Sequence, residues 1–232
     1  MTRTPVFTWR GVADGARKGI LLAPTLMTFG FAVGVLANAK GLSVLEIGLM
    51  SAWVYAGGAQ MASLQVWADP VPQLVLLLTV LAMNARYILL AASLHPYFGA
   101  LPPWQVYPGL AMMGDSNWAL TLREVTRERP DGGFLLGSGL VMFIPWIASS
   151  VAGHLFGQVL GDPRRLALDF MLAAFFATTA VGFLRVARAT APLIVAIVAA
   201  VAIEKLFPGP WYLFAGALAG SLVGAWRHVD QT

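Results

Sequence analysis

Two oppositely charged side chains interrupt apolar stretches of this chain, where a charge needs a partner or a function. Arg86 falls near the middle of a run that begins at Gln73, and Asp115 breaks the run that follows. An arginine inside a membrane span costs several kcal/mol, so we expect Arg86 to face protein, water or an opposite charge. If both side chains face one cavity, Arg86 can bind a carboxylate, and Asp115 can attract an ammonium group or change its protonation state.

A structural alternative exists for each of these residues. Arg86 could lie close to a helix end and extend its charge to the membrane surface, and Asp115 could cap a broken helix. Asn84, two residues before Arg86, is a further candidate to line a shared site. Trp118, close after Asp115, is another, although a core position suits it equally well. Asp115 is the only acidic residue well inside a proposed span, which makes it the candidate for ion coupling.

A glycine pair, Gly57-Gly58, lies at the centre of a further apolar run, 47–68. Such a pair can unwind cheaply, and an unwound segment exposes backbone groups and helix termini that bind a carboxylate or a cation. Tyr55 and Gln60 flank the pair and are included in the candidate site, with Gln60 as a hydrogen-bonding side chain. The structural alternative is that the glycines let two helices approach closely.

The composition excludes a water-soluble domain. The 232 residues are 58% hydrophobic and only 11% charged, whereas soluble domains are about 25% charged. The chain has no cysteine, which excludes disulfides and thiolate chemistry. Its basic residues lie between apolar runs and form no single patch, so nucleic-acid binding is not expected.

Charged and proline-rich segments divide the chain into about eight predicted transmembrane helices, some of them broken, which gives an all-α polytopic membrane protein. The predicted spans lie near residues 19–39, 47–68, 73–95, 105–122, 132–161, 168–184, 190–206 and 211–226. The polar segment 123–131 is predicted to be a loop. The uncharged stretch 132–161 is longer than one span needs, so that helix is expected to tilt or to break near Pro145.

Lysine and arginine residues set the predicted orientation, because short cytoplasmic loops retain them. With the N-terminus inside, ten fall in inner segments (Arg3, Arg10, Arg17, Lys18, Arg123, Arg127, Arg129, Arg185, Arg188 and Arg227) and four in outer segments (Lys40, Arg164, Arg165 and Lys205). We therefore expect a cytoplasmic segment 1–18, a single transmembrane domain 19–226 and a cytoplasmic tail 227–232. Seven spans would put the C-terminus outside, and a secretory signal peptide is the alternative for the first run.

Glycines at four-residue spacing predict smooth packing faces between helices. These are Gly30 and Gly34, Gly153 and Gly157, and Gly216, Gly220 and Gly224. A shift of 120 residues also aligns Gly41 with Gly161 and the stretch 55–59 with 175–179. Two parallel four-helix repeats are therefore one alternative for the organisation of the chain, although any two apolar, glycine-rich stretches would partly align.

No enzyme or metal-site motif is present. His95, His154 and His228 are isolated from one another and from acidic clusters, so no metal site and no other cofactor is predicted. The chain lacks H-E-x-x-H, G-x-S-x-G and a phosphate-binding glycine loop, so catalysis is not expected. One alternative is an intramembrane enzyme that acts on a lipid-linked substrate with Asp115 and His95.

Short motifs along most of the chain resemble one membrane family. They are Ser51 with 55–60 (YAGGAQ), 84–87 (NARY) with Ser93-Leu94 and Pro96-Tyr97, Gly114-Asp115 with Trp118-Ala119-Leu120, and Leu168-Asp169-Phe170 with Ala174-Phe175-Phe176. The family is that of the AzlC-like branched-chain amino acid permeases, the large subunit of a bacterial amino acid exporter. The family often has an acidic residue directly after the aspartate, where this chain has Ser116.

The resemblance implies a function and a partner. It implies export of leucine, isoleucine, valine or a related apolar amino acid across the bacterial cytoplasmic (inner) membrane. It also implies a small, separately encoded hydrophobic subunit of the AzlD type. The residues independently offer a positive site for a carboxylate, a negative or carbonyl site for an ammonium group, and apolar surroundings for an aliphatic side chain.

The resulting hypothesis is a secondary transporter whose second, third and fourth spans form a cavity at the middle of the membrane. Uphill export needs a coupled ion, and proton antiport through Asp115 is the simplest coupling. The alternative is a non-transporting scaffold subunit whose polar groups serve assembly. Ligand-dependent thermal stabilisation separates the two, since it requires binding to the folded state.

Overall fold

The structure is a computed structural model that describes residues 4–127, 130–160, 177, 190–207 and 211–229. Within these residues the chain forms helices and no β-strand, and one isolated backbone bridge joins Val6 to Asp131. The helices are α1 (Trp9–Gly19), α2 (Ala23–Ala39), α3 (Val44–Val54), α4 (Gly57–Val66), α5 (Gln73–Asn84), α6 (Arg86–Phe98), α7 (Pro103–Ala111), α8 (Asp115–Arg127), α9 (Gly132–Leu160), α10 (Thr190–Leu206) and α11 (Trp211–Val229).

Three helical stretches of the described chain are long and apolar enough to cross a membrane. They are Trp9–Ala39, Gln73–Phe98 and Gly132–Val159. Val44–Val54 and Phe214–Trp226 are shorter apolar helices. The predicted all-α membrane class is therefore confirmed.

The first long helix begins at Trp9, well before the predicted start at residue 19. Thr8 caps it, because the Thr8 hydroxyl oxygen accepts a hydrogen bond from the Gly11 N–H at 2.8 Å and so satisfies one of the donors that a helix start leaves free. A short 3₁₀ turn, Ile20–Leu22, joins α1 to α2. Residues 9–18 are thus helical and continue through this turn towards α2, and the predicted cytoplasmic segment 1–18 stays a prediction.

The long helix α9 is the central element, against which α1 and α2 pack along their length. It runs unbroken through Pro145, so the alternative of a break at that proline is wrong. Asp131 fixes its start: Oδ1 accepts hydrogen bonds from the Gly133 N–H at 2.8 Å and from the Thr8 N–H at 3.0 Å. One carboxylate therefore ties the start of α9 to the start of α1.

Glycines allow the close contact between α2 and α9. A Cβ atom added at Gly34 would overlap the carbonyl oxygen of Ser150, and one added at Gly153 would overlap that of Phe31. Small residues at such positions let two helix backbones approach in a membrane. The two predicted glycine faces on these helices are confirmed at Gly30, Gly34, Gly153 and Gly157.

Helices α10 and α11 form a second close pair. A Cβ atom added at Gly220 would lie 2.9 Å from the Cβ of Ala196, and one added at Gly216 would lie 3.0 Å from the Ala196 carbonyl oxygen. At Gly224 the nearest atom, on Pro192, would be 3.8 Å away, which is ordinary contact. The third glycine face is therefore confirmed at Gly216 and Gly220 and is looser at Gly224.

The second and fourth predicted spans are each divided into two short helices. Helices α3 and α4 are separated by residues 55–56, and α7 and α8 by residues 112–114. Helices α5 and α6 instead continue each other through Ala85, whose N–H donates to the Leu81 carbonyl at 2.9 Å. The chain therefore interrupts two spans and carries Arg86 on a nearly continuous one.

The polar segment 123–131 is not a loop over its whole length, because α8 continues to Arg127. A long-range ion pair accompanies this difference. Lys18 Nζ lies 2.7 Å from Glu124 Oε1 and holds the last turns of α8 against α1. The loop prediction is wrong for residues 123–127. Residues 128–129 lie outside the described chain, and the cytoplasmic location of the segment stays a prediction.

Two sequence predictions concern residues outside the described chain. The sixth span, near 168–184, lies there apart from Ala177. Gly161 and most of the stretch 175–179, on which the repeat alternative depends, lie there as well. The number of spans, the repeat and the orientation of the termini stay predictions.

We expect Gly34→Ala to lower the melting temperature of the purified protein in detergent, because the added methyl group must push α2 away from α9. Gly48→Ala is the matched control, since a Cβ at that helical position would lie 3.9 Å from Val151. Both changes improve helix propensity by about 1 kcal/mol, so propensity alone predicts stabilisation of both variants. Equal melting temperatures would contradict the tight contact at Gly34.

Candidate functional site

A cavity of about 650 Å³ opens where the two broken helices meet. It is lined by residues of both breaks and of α2, α4, α6, α8 and α9. The lining residues are Thr25, Leu26, Phe29, Tyr55, Ala56, Gly57, Gly58, Arg86, Tyr87, Leu90, Gly114, Asp115, Ser116, Trp118, Met142 and Trp146. Its size, its mostly apolar wall and its few polar groups are typical of a small-molecule site.

The break between α3 and α4 lies at Tyr55 and Ala56. Tyr55 has φ 35° and ψ 45°, a left-handed conformation that is uncommon outside glycine. Aromatic contacts hold it there, because its ring centroid lies 4.9 Å from that of Phe143 and 6.5 Å from that of Trp146. The unwinding considered for Gly57-Gly58 therefore occurs two residues earlier, and both glycines are already part of α4.

Gly57 has a packing role and also leaves the start of α4 accessible. A Cβ atom at this position would lie 2.7 Å from the Trp146 ring and 3.2 Å from the Phe29 ring, so a larger residue would displace one of them. No side chain caps α4. Gly57 and Gly58 line the cavity, and the first backbone N–H groups of a helix have no acceptor inside it, so this helix start is suited to an anionic group.

Arg86 and Asp115 form an ion pair on the cavity wall. Arg86 Nη2 lies 3.0 Å from Asp115 Oδ2, and the two side chains are 38% and 47% exposed. The guanidinium also lies over the ring of Tyr87, 5.1 Å from its centroid. Arg86 is in the middle of the apolar stretch Gln73–Phe98, and its charge has a partner inside the protein. The structure thus brings the two predicted charges together in one cavity.

Asn117 holds the second break, between α7 and α8. Its Oδ1 accepts a hydrogen bond from the Gly114 N–H at 2.7 Å, and its Nδ2 donates to the Met112 carbonyl at 3.2 Å. The capping function considered for Asp115 is therefore performed by Asn117, and the Asp115 carboxylate pairs with Arg86. Sequence reasoning missed Asn117, although a polar side chain three residues after a helix start is a known capping signal.

Gln60 is fully buried behind the cavity and is not one of its lining residues. Its Nε2 donates to the Ser51 hydroxyl at 3.0 Å, and its Oε1 accepts a hydrogen bond from Trp146 Nε1 at 3.0 Å. Ser51 lies on α3 and Gln60 on α4, so this network joins both halves of the broken helix to α9. Gln60 therefore positions Trp146 in the cavity wall and does not itself line the cavity.

The remaining candidates differ in their positions. Trp118 lines the cavity, and its indole N–H donates to the Ser93 hydroxyl at 2.9 Å. Asn84 does not line it, and its buried Oδ1 has no hydrogen-bond partner within the part of the chain that the structure describes. The sequence did not single out the apolar wall, because its residues look like any others in an apolar span: Leu26, Phe29, Leu90, Met142 and Trp146.

We expect Gln60→Leu to lower the melting temperature, because it leaves the buried Trp146 N–H and Ser51 hydroxyl without their partner. A buried group left unpaired costs about 1–3 kcal/mol. Gln65→Leu, at an exposed position of the same helix, is the matched control and should have little effect. Adding Trp146→Phe to Gln60→Leu should cost less than Trp146→Phe costs alone. Fully additive effects would argue against the hydrogen bond.

Comparison with known proteins gives one family. The family model described as AzlC protein matches residues 22–160. An "Uncharacterized membrane protein" of Archaeoglobus fulgidus is 27% identical over 218 residues, which cover 90% of this chain and 94% of that protein. "Inner membrane protein YgaZ" of Escherichia coli (strain K12) is 25% identical over 223 residues, which cover 90% of this chain and 87% of that protein.

No solved structure matches the chain. The family match, in contrast, covers more than half of the 232 residues and contains every described residue of the cavity wall, from Thr25 to Trp146. The protein belongs to the AzlC family.

Proposed function

We propose that the protein is a secondary transporter that exports branched-chain or similar apolar amino acids across the bacterial inner membrane. The observation that carries the proposal is a cavity between two interrupted helices, with one guanidinium and one carboxylate on a mostly apolar wall. Interrupted helices around a central site are a recurring plan of membrane transporters. Membership of the AzlC family and the names of the two relatives, both membrane proteins, support this role.

The proposed contacts follow the three parts of an apolar amino acid. Its carboxylate binds Arg86 and the uncapped start of α4 at Gly57-Gly58. Its ammonium group binds Asp115. Its aliphatic side chain lies against the apolar wall, beside Tyr55 and Trp118. Gln60 contributes indirectly, by holding Trp146, and Asn84 lies two residues before Arg86 in the chain.

We propose that protons are the coupled ion and that Asp115 carries them. Of the described residues on the cavity wall, Asp115 is the only carboxylic acid. Protonation would remove its charge and release Arg86 from the ion pair, so one proton changes both the charge of Asp115 and the pairing of Arg86. In the proposed antiport, a proton that moves inward would bind Asp115 after the substrate has left on the outer side.

The proposed transporter works with a small hydrophobic membrane subunit of the AzlD type and has both termini in the cytoplasm. The partner is proposed from the family and the orientation from the distribution of lysine and arginine. Efflux from cells carrying this chain with and without the subunit, across a panel of amino acids, tests both the partner and the substrate class. A scaffold would show stability that depends on the partner and not on any amino acid.

We expect Arg86→Gln to reduce leucine and valine efflux from proteoliposomes containing the partner by at least about tenfold, because the variant lacks the charge that pairs with the substrate carboxylate, and a loss of about 1.4 kcal/mol already corresponds to tenfold. Arg10→Gln is the matched control, since the Arg10 side chain is 93% exposed and lies 3.9 Å from Asp14 on α1. Equal efflux by the two variants would refute a substrate contact at Arg86.

We expect Asp115→Asn to abolish the dependence of leucine efflux on the proton gradient, because asparagine cannot exchange a proton. Asp14→Asn is the control, since its side chain is exposed to almost the same degree, 46% against 47% for Asp115. The measurement is counterflow and gradient-driven efflux in proteoliposomes containing the partner. Unchanged gradient-driven efflux in Asp115→Asn would exclude it as the coupling residue.

A further inference from the structure

We propose that the Arg86–Asp115 ion pair is an internal competitor of the ligand, so that a ligand must carry both a carboxylate and an ammonium group to displace it efficiently. The inference rests on the proposed function and adds one statement to it. The binding event is an exchange of ion-pair partners, which is why an apolar carboxylate or an apolar amine alone would bind poorly.

The two charges are placed where a ligand can reach both of them. They lie on one cavity wall, 3.0 Å apart, and both side chains keep more than a third of their surface exposed. A purely structural ion pair in an apolar bundle is expected to be enclosed by the helices that it joins. This pair instead joins the start of α6 to the start of α8 on the wall of the cavity.

The charge balance of the cavity determines which ligands can open the pair. Of its described lining residues, Arg86 and Asp115 are the only ones with a formal charge. A ligand with one charge pairs with one of them and leaves the other unpaired beside an apolar wall, which is strongly unfavourable. A zwitterion pairs with both, so the number of satisfied charges is unchanged by the exchange.

The arginine side of the site has donors left for an incoming carboxylate. A guanidinium has five N–H donors, and its closest contact with Asp115 is made by Nη2. Arg86 Nε is buried and has no hydrogen-bond partner in the described ranges. The uncapped backbone N–H groups of α4 lie on the same wall, at Gly57 and Gly58, so a carboxylate can meet both.

The aspartate side is prepared for an ammonium group. Asp115 is in the first turn of α8, where the helix dipole favours a negative charge. Asn117 already satisfies the backbone N–H of Gly114, so the carboxylate is not needed as a cap. When Arg86 turns to a ligand carboxylate, the Asp115 carboxylate is therefore free to bind the ligand ammonium.

Three ligands with the same branched hydrocarbon chain test the inference. They are leucine, 4-methyl-2-oxopentanoate, which lacks the ammonium group, and 3-methylbutylamine, which lacks the carboxylate. Titrations of ligand-induced thermal stabilisation are carried out on the purified full chain with its partner subunit. For the wild type we expect leucine to bind at least about tenfold more tightly than either single-charge ligand.

In two variants we expect a single-charge ligand to gain affinity relative to leucine. Asp115→Asn leaves Arg86 without a competitor, so 4-methyl-2-oxopentanoate should gain at least about tenfold in affinity while leucine loses affinity. Arg86→Gln should do the same for 3-methylbutylamine. Arg10→Gln and Asp14→Asn, which alter the surface pair on α1, should keep the wild-type ranking. A purely structural ion pair would weaken all three ligands together.

The possible failures are distinguishable. If either single-charge ligand binds the wild type as tightly as leucine does, the ion pair is not a competitor, although the proposed transport site stands. If the variants fold but keep the wild-type ranking, the exchange is also refuted. If none of the three ligands stabilises the wild type, the proposed site itself fails. The wild-type ranking decides the question even where a variant does not fold.

Discussion

Polar groups inside an apolar helix bundle must find their partners within the protein, and the arrangement of this site follows from that constraint. Two interrupted helices leave backbone N–H and C=O groups without helical partners in the same region, and the two breaks satisfy these groups differently. At the second break, the Asn117 side chain accepts a hydrogen bond from the Gly114 N–H and donates one to the Met112 carbonyl. The start of α4 has no such cap and lies on the cavity wall, beside the Arg86–Asp115 pair.

The cavity depends on packing contacts that carry no chemistry themselves. Close approach of α2 and α9, which Gly34 and Gly153 permit, brings Phe29 and Trp146 into a stacked contact with centroids 6.5 Å apart. Trp146 is then held by Gln60, and Gln60 by Ser51. These bonds join both halves of the broken helix to α9. The surrounding structure therefore keeps Tyr55 in its left-handed conformation, which separates α3 from α4.

Family membership and the chemistry of the site support different parts of the proposed function. The AzlC match assigns the chain to a family, and the names of its two relatives mention a membrane but no substrate. The substrate class is argued instead from one guanidinium, one carboxylate and an apolar wall around a cavity of about 650 Å³. These groups match the charge and polarity of an apolar amino acid, which is why the two lines of argument agree.

The sequence by itself determined the membrane class, the glycine faces and the two unusual charges, because composition, spacing and the cost of a buried charge are local properties. Only the tertiary structure decided which polar residues line the cavity. Gln60 pairs with Trp146, 86 residues away, and Lys18 with Glu124, 106 residues away. No local pattern contains such contacts, so Gln60 was expected in the site and residues 123–127 in a loop. Arg86 and Asp115 were predictable as a pair because an apolar bundle leaves a charge few alternatives.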